Sequence, residues 1–420
     1  MQLDQGWLLA QAEDAPLLHV VDTAFPRTPP EKIAVAVSGG SDSTALLHLF
    51  ARWAAQTGHA VQAVTLNHGL RAEAAREAEA VARLCAELAV PHTVLQWDGA
   101  AAKGNIQAAA REARYRLIAD WAKAQGVGGV ALGHTQDDIA ETFLIRLSRK
   151  AGLDGLAAMR PRFERDGVTW VRPLWQQSRA ELRDYLIRND VTWVDDPSNE
   201  DPAYDRTRAR AALAALAPLG IDAEGIMHSA FALGQARSAL DYYTRSAVEA
   251  RIEIDRGDVI LDLADPHSLP AEIARRLNVA ALKWVGGKDY GPRWSTLAPM
   301  GYALSTTGKF TLSGCLVSQK GSVRRFTREH QAVAKVTAPL GAVWDGRWIV
   351  EGPGDYEVRA LGEAVSQCPE WRDSGLPRQS LLASPAVWQG DTLIAAPLAG
   401  LNPAFSARIV AEFQDSWDSH

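Results

Sequence analysis

The chain has 420 residues, a formal net charge of −6, 47% hydrophobic and 22% charged residues. This balance suits an ordinary folded protein and excludes one that coats nucleic acid by bulk charge, although a local basic face would escape the average. Its length exceeds what one hydrophobic core usually supports, so two or three domains are expected.

Four times in the first 150 residues a short β-branched run precedes a longer amphipathic one: 33–37 before 42–54, 60–66 before 71–89, 92–97 before 105–125, and 127–132 before 136–149. Strands and helices alternating in this way predict a parallel sheet covered on both faces, whose ligands sit at the carboxyl ends of the strands. An Arg-rich and Asp-rich stretch follows, with a helix predicted over 179–189. Residues 209–240 read as helix broken by APLGID, and the first domain boundary falls there. Strand and helix signals mix from 251 to 328, and short strands punctuated by Gly, Pro and Trp fill 337–420. The cysteines, Cys85, Cys315 and Cys368, are far apart and never form CxxC, so neither a disulfide framework nor a zinc ribbon is expected and a reducing cytoplasm fits. The first twenty residues lack a basic leader, and no apolar run reaches the ~18 residues of a membrane span, so no membrane is expected.

The stretch SGGSDS, residues 38–43, begins where the first strand ends and leads into a helix. Helix N-termini carry unpartnered amides and a partial positive charge, so they attract anions. Gly39 and Gly40 lack Cβ atoms and let a phosphate approach the main chain, while Ser38, Ser41 and Ser43 add hydroxyl donors. Asp42 beside a phosphate is repulsive unless a divalent cation lies between them, so the turn reads as a site for a polyphosphate with its magnesium. The plain alternative is a helix cap, since Ser and Asp start many helices; the position at the rim of a strand–helix series favours the ligand. A Walker A loop would need Lys after its last Gly, and GVGGVA (126–131) enters a strand where a dinucleotide loop leaves one.

LNHGLR (66–71) closes the second strand and puts His68 and Arg71 on the same rim. In LGHTQDDIAET (132–142), a helix starting near Thr135 places Asp138 and Glu141 on one face, with His134 and Asp137 at its mouth. Acids there can merely complement the helix dipole, but two adjacent ones after a strand-end histidine also make a magnesium or amine site. GNIQAAAREARYRLI (104–118) reads as a helix capped by Asn105, with Arg111, Arg114 and Tyr115 on one polar stripe. Arg206, Arg208 and Arg210 alternate in RTRAR, which reads as a partly extended run or an arginine-lined helix end touching phosphates.

SGGSDS after a first strand resembles the PP-loop of the N-type ATP pyrophosphatases, which split ATP between its α and β phosphates. With NHGLR, NIQAAAREARY, GHTQDD…ET, RPLWQQSRAELRDYL (172–186, like the family's RPLL…R) and DDPSN…RTRAR in family order over residues 38–210, the chain resembles the tRNA(Ile)-lysidine synthetases of that superfamily. Thr207 departs from the family's usual Asn. Beyond residue 240 the likeness thins, although CPEWRDSGLPR (368–378) resembles an element of the extra C-terminal domain of longer members.

Together, pattern and resemblance imply an α/β PP-loop domain, a parallel sheet with helices on both faces, over 1–215. A mostly helical middle domain at 216–335 and a small β-rich domain at 336–420, both binding tRNA, are expected to follow. The resemblance further implies ATP and Mg2+ as cofactors, and free L-lysine and tRNA(Ile) with a CAU anticodon as substrates, in the cytoplasm; a homodimer is left open. Carried over, residues 38–43 hold ATP; Asp42, His134, Asp137 and Asp138 are catalytic, with Asp42 and Asp138 on the metal. His68, Arg71, Arg111, Arg114, Arg206, Arg208 and Arg210 face the substrates. The alternatives are a tRNA thiolation enzyme of the same superfamily, which needs site cysteines where only Cys85 lies in the catalytic half, or a non-catalytic nucleotide- or RNA-binding relative.

Overall fold

A computed structural model describes residues 12–25, 29–67, 73–97, 106–194, 204–264, 269–288 and 290–413. The chain forms two compact units, Met1–Arg237 and Ser238–His420.

In the first unit, α1 (Ala15–Asp22) precedes β1 (Lys32–Ala36), α2 (Ser41–Thr57), β2 (Ala60–Asn67), α3 (Glu73–Glu87), β3 (His92–Gln96), α4 (Ile106–Ala124), β4 (Gly129–Leu132) and α5 (Gln136–Ser148). These bounds follow the four predicted strand–helix pairs closely. Successive residues of a strand point to opposite faces. Ile33 and Val35 of β1 accordingly enter a core with Leu46, Leu49 and Phe50 of α2, while Ala34 enters another with Ile118 and Ala122 of α4. Both faces are thus covered, which is why β1 carries no polar residue at its centre.

The sheet order is β3-β2-β1-β4, continued by β6 and β5. After a short α6 (Leu153–Leu156), β5 (Arg162–Arg165) and β6 (Val168–Val171) form a hairpin whose β5 runs antiparallel at the sheet edge. Asp166 and Gly167 both take positive φ, 52° and 71°, as a tight hairpin turn requires. This hairpin is too short to stand out in the sequence. The chain winds outward from β1 through β2 to β3, then returns to place β4 on the other side of β1. That reversal opens a crevice at the carboxyl ends of β1 and β4.

Helices α7 (Arg179–Arg188) and α8 (Asp205–Leu216) complete the unit, and α9 (Ala223–Arg251) runs through the division between units. The run Arg206 to Arg210 is helical throughout, so the extended alternative does not hold. Asp205 in the first turn and the Ala-rich continuation favour helix there.

In the second unit, β7 (Ile252–Asp255), β8 (Asp258–Asp262), α10 (Ala271–Gly286), α11 (Trp294–Leu297), α12 (Pro299–Thr307), β9 (Lys309–Leu312), β10 (Cys315–Lys320) and β11 (Val323–Arg328) follow. The middle segment thus carries a five-stranded antiparallel sheet, β7-β8-β11-β10-β9, beside its helices. Leu277, Ala281 and Val285 of α10 pack with Val259, Val317 and Phe326 of that sheet. After α13 (His330–Val333), the strands β12 (Ala338–Pro339), β13 (Val343–Trp344), β14 (Trp348–Glu351) and β15 (Glu357–Ala360) precede α14 (Arg378–Leu382). With β16 (Pro385–Gln389), β17 (Thr392–Ala395) and β18 (Ser406–Ile409) they form two small antiparallel sheets, the β-rich end expected. Buried Asp258 accepts from Arg325 at 2.7 Å, Thr327 at 3.0 Å and Ser380 at 2.6 Å, tying the five-stranded sheet to α14. Among the described residues no helix is long and apolar enough to cross a membrane.

Behind the first sheet, a buried polar network joins α1, α2 and α7. Asp14 accepts from Arg52 at 2.7 Å and from Arg188 at 3.0 Å, and the His48 ring lies 2.5 Å from the Tyr185 hydroxyl. Burial, then the Arg52 charge, push His48 down from 6.5 to about 4. The folded chain therefore keeps His48 neutral where the unfolded chain takes up a proton. Its contribution to stability is present above pH 6.5 and is lost as the pH falls towards 4. Urea unfolding at pH 7 and pH 5 should show the wild-type chain losing about 2 kcal/mol from this residue, an increment that His48→Gln lacks. Identical pH dependence in the two proteins would refute the assignment.

Candidate active site

The turn after β1 has two structural demands. Gly39 sits at φ +93°, which L side chains rarely adopt, and Gly40 starts α2 in an extended conformation with no side chain accepting from the helix's leading amides. The hydroxyls face inward instead. Ser43 Oγ donates to the Gly40 carbonyl at 3.1 Å and accepts from the Ser38 amide at 3.1 Å, while Thr44 Oγ1 donates to the Gly39 carbonyl at 3.2 Å. They brace the turn from within. The capping alternative therefore fails, because none of the loop's side chains caps α2. Gly133, at the exit of β4, fits against the same turn: a Cβ there would lie 2.9 Å from Ser43 Cα. The loop after β1 and the start of α5 are consequently neighbours.

Thr135 caps α5, and Asp138 closes a capping box by accepting from the Thr135 amide at 3.0 Å and its hydroxyl at 3.2 Å through Oδ2. Its other oxygen faces Arg206 at 3.4 Å and Arg179 at 3.7 Å. One turn on, Glu141 is 1% exposed and its Oε1 accepts from Arg210 Nε at 2.6 Å and Arg179 Nη1 at 3.2 Å. Arg179 Nε donates to Asp42 Oδ2 at 3.1 Å, and its backbone amide donates to Asp137 Oδ2 at 2.7 Å. One guanidinium thus gathers an acid of the loop and two acids of α5.

Electrostatics follow from this packing. Burial raises Asp42 above the usual carboxylate range; Arg179 opposes the shift and the neighbouring Asp138 charge adds to it. For Arg179, burial works against the charge, but Asp42, Glu141, Asp138 and Asp137 outweigh it and hold the group above its ordinary value. His134 Nδ1 accepts from Arg172 Nε at 3.1 Å, which leaves the ring proton on Nε2. Burial, then Arg172, lower its pKa, so the ring is neutral near pH 7. Buried Arg172 is itself placed by the Phe163 ring, 4.4 Å from its guanidinium carbon, and by the Tyr115 hydroxyl at 3.5 Å.

Of the sequence-derived residues, Ser38, Gly39, Gly40, Ser41, Asp42 and Ser43 form the turn. Asp42, Asp137, Asp138, Arg206 and Arg210 meet around Arg179. Four residues apart on α8, Arg206 and Arg210 share a face, whereas Arg208 pairs with Asp205 on the exposed side. Arg111 and Arg114 are exposed on α4, and the Arg111 charge also bears on His134. His68, Arg71, Asn105 and the stretch 195–199 lie outside the described residues. Glu141, Arg172 and Arg179 were not among the expected site residues. Glu141 had a signal in its spacing from Asp138. Arg179 lies in the stretch RPLWQQSRAELRDYL that resembles a family element, but no local pattern names its partners, which are far away in sequence. Among the described residues no group of three or more His, Cys, Asp or Glu side chains is placed to hold a metal ion by itself. The three cysteines are buried, and burial pushes the Cys85 thiol up to about 11 within the α2 core.

Comparison with known proteins gives the family. The family model described as a PP-loop domain matches residues 15–217. A tRNA(Ile)-lysidine synthase of Ruegeria pomeroyi is 47% identical over 406 residues, covering 96% of this chain and 97% of the relative. Another, of Wolbachia pipientis, is 34% identical over 380 residues, 87% of this chain and 88% of the relative. Among solved structures, a U34-tRNA thiolase of Methanococcus maripaludis is similar with a TM-score of 0.45 and 15% identity, over 53% of this chain and 79% of that one. On the strength of the near full-length relatives, the chain belongs to the tRNA(Ile)-lysidine synthase family.

Proposed function

We propose that this chain joins the ε-amine of free L-lysine to C2 of the wobble cytidine in tRNA(Ile) with a CAU anticodon. Cytosine O2 attacks the α-phosphate of ATP and releases pyrophosphate; the lysine amine then attacks C2, loses a proton and expels AMP. The observation that carries this reading is the meeting, at the reversal between β1 and β4, of an uncapped glycine turn with an acid cluster held by Arg179.

Each part matches a demand of the reaction. The turn's leading amides suit the phosphates, and Arg179, Arg206 and Arg210 lie where negative charge would gather. Asp42 and Asp138 suit magnesium, because they offer hard oxygen donors within reach of one guanidinium and each raises the cost of the other's charge. Bound there together with phosphate oxygens, the metal would neutralise the triphosphate. Lysine's ammonium has a free pKa of about 10.4, so an acceptor must hold it and draw off a proton before attack. Glu141 is suited to that task, since its buried Oε2 makes no hydrogen bond and meets Arg206 Nε at 4.0 Å. Neutral His134 presents an Nε2–H donor for the base or the nucleotide.

Mass spectrometry of the wobble base after incubation with ATP, Mg2+, L-lysine and the tRNA should show the mass of lysidine, and an unmodified cytidine would sink the proposal. The two steps are separable by pyrophosphate release with tRNA and ATP but no lysine. There Asp42→Ala should lose at least about a hundredfold, while Glu141→Gln stays within a few-fold of wild type and loses the lysine-dependent release of AMP. Equal loss of pyrophosphate release in both variants would contradict these roles.

A further inference from the structure

We infer that the second unit carries a stacking surface for unpaired RNA bases, formed by Tyr290, Trp294 and Tyr302 with Lys288, Arg293 and Lys309. The inference rests on the tRNA reading above and names a surface which that reading leaves unassigned. Three large aromatic side chains stand 86%, 69% and 77% exposed within 13 residues of chain, from Tyr290 to Tyr302. A soluble protein rarely clusters such rings in water without a use for them. They are not spare core residues, because α11 and α12 pack inward through Leu297, Met300 and Leu304 instead. The turn that carries Tyr290 is anchored where Gly291 lies against Val279 and Lys283 of α10. From Trp294 to Tyr302 the rise along the helical path is about 12 Å, which spans several stacked bases.

Charge decides the class of partner. Residues 283–309 contain Lys283, Lys288, Arg293 and Lys309 against a single acid, Asp289, a balance of 4 − 1 = +3 in a chain whose net charge is −6. Lys288, Arg293 and Lys309 are exposed in the same stretch of chain as the rings. Between Trp294 and Tyr302 the exposed positions are Ser295, Thr296, Ala298, Pro299 and Gly301, none with a large apolar side chain, so the rings are not joined into the continuous apolar area that a protein core or a lipid surface would cover. Rings interleaved with cations suit RNA whose bases are free to stack while its phosphates meet the cations. A duplex hides its base faces and would use the cations alone.

The test compares binding of the full chain and its Trp294→Ala/Tyr302→Ala variant to two probes, a tRNA(Ile) transcript with a CAU anticodon and a blunt RNA duplex without unpaired nucleotides. The variant should bind the transcript at least about tenfold more weakly with an unchanged salt slope, and the duplex as wild type does. Trp294→Phe/Tyr302→Phe should restore transcript binding, while Lys288→Ala/Arg293→Ala should flatten the salt slope by about 1 to 2 on both probes. Undiminished transcript binding by the alanine variant, or an equal loss on the duplex, overturns the stacking surface. Lysidine formation by the wild-type chain keeps the two ideas apart. A chain that binds the transcript through the rings yet forms no lysidine defeats the reaction alone, and a wild-type chain that does not bind the transcript defeats both.

Discussion

The guanidinium of Arg179 touches Asp42, Asp138 and Glu141, and its own backbone amide is held by Asp137. Carboxylates withdrawn from water repel one another and tolerate burial only when paired and hydrogen-bonded. Here the pairing is done by three arginines, of which Arg179 alone reaches the loop acid while Arg206 and Arg210 serve the acids of α5. The loop after β1 and the start of α5 are thereby locked in one electrostatic unit.

Such a contact depends on where α7 is held. Its first residue is Arg179, and farther along it Tyr185 and Arg188 enter the buried network with His48, Arg52 and Asp14. Both ends of α7 are therefore fastened, one to the acids of the crevice and the other to the far side of α2. Helix α2 takes part at both places, through Asp42 and through His48 and Arg52. The helix whose leading amides face the proposed phosphates is thus positioned by buried polar contacts as well as by its apolar face.

The second unit works with the opposite chemistry. Its buried acid, Asp258, is satisfied by three donors and serves to join the five-stranded sheet to α14, while Tyr290, Trp294 and Tyr302 are turned to solvent.

The four strand–helix pairs and the turn at residues 38–43 were legible along the chain because their physics is local. Periodicities of two and near 3.6 residues report which faces are buried, and two glycines before a helix report a backbone that must bend and stay bare. The β5–β6 hairpin was not among the expected elements, and the mixed strand signals after residue 251 gave no sheet order, because β8 and β11 pair far apart in the chain. Arg179 escaped for a related reason. Its stretch, RPLWQQSRAELRDYL, carries part of the family resemblance, but nothing beside it shows the pairing with Asp42, which is 137 residues away. The sequence alone determined the turn, the succession of strands and helices along the chain and the acids at the start of α5, because each is written in neighbouring residues. Which cation those acids share was decided only by tertiary structure, because a buried charge pair is chosen by distance in space, where desolvation makes an unpaired charge costly.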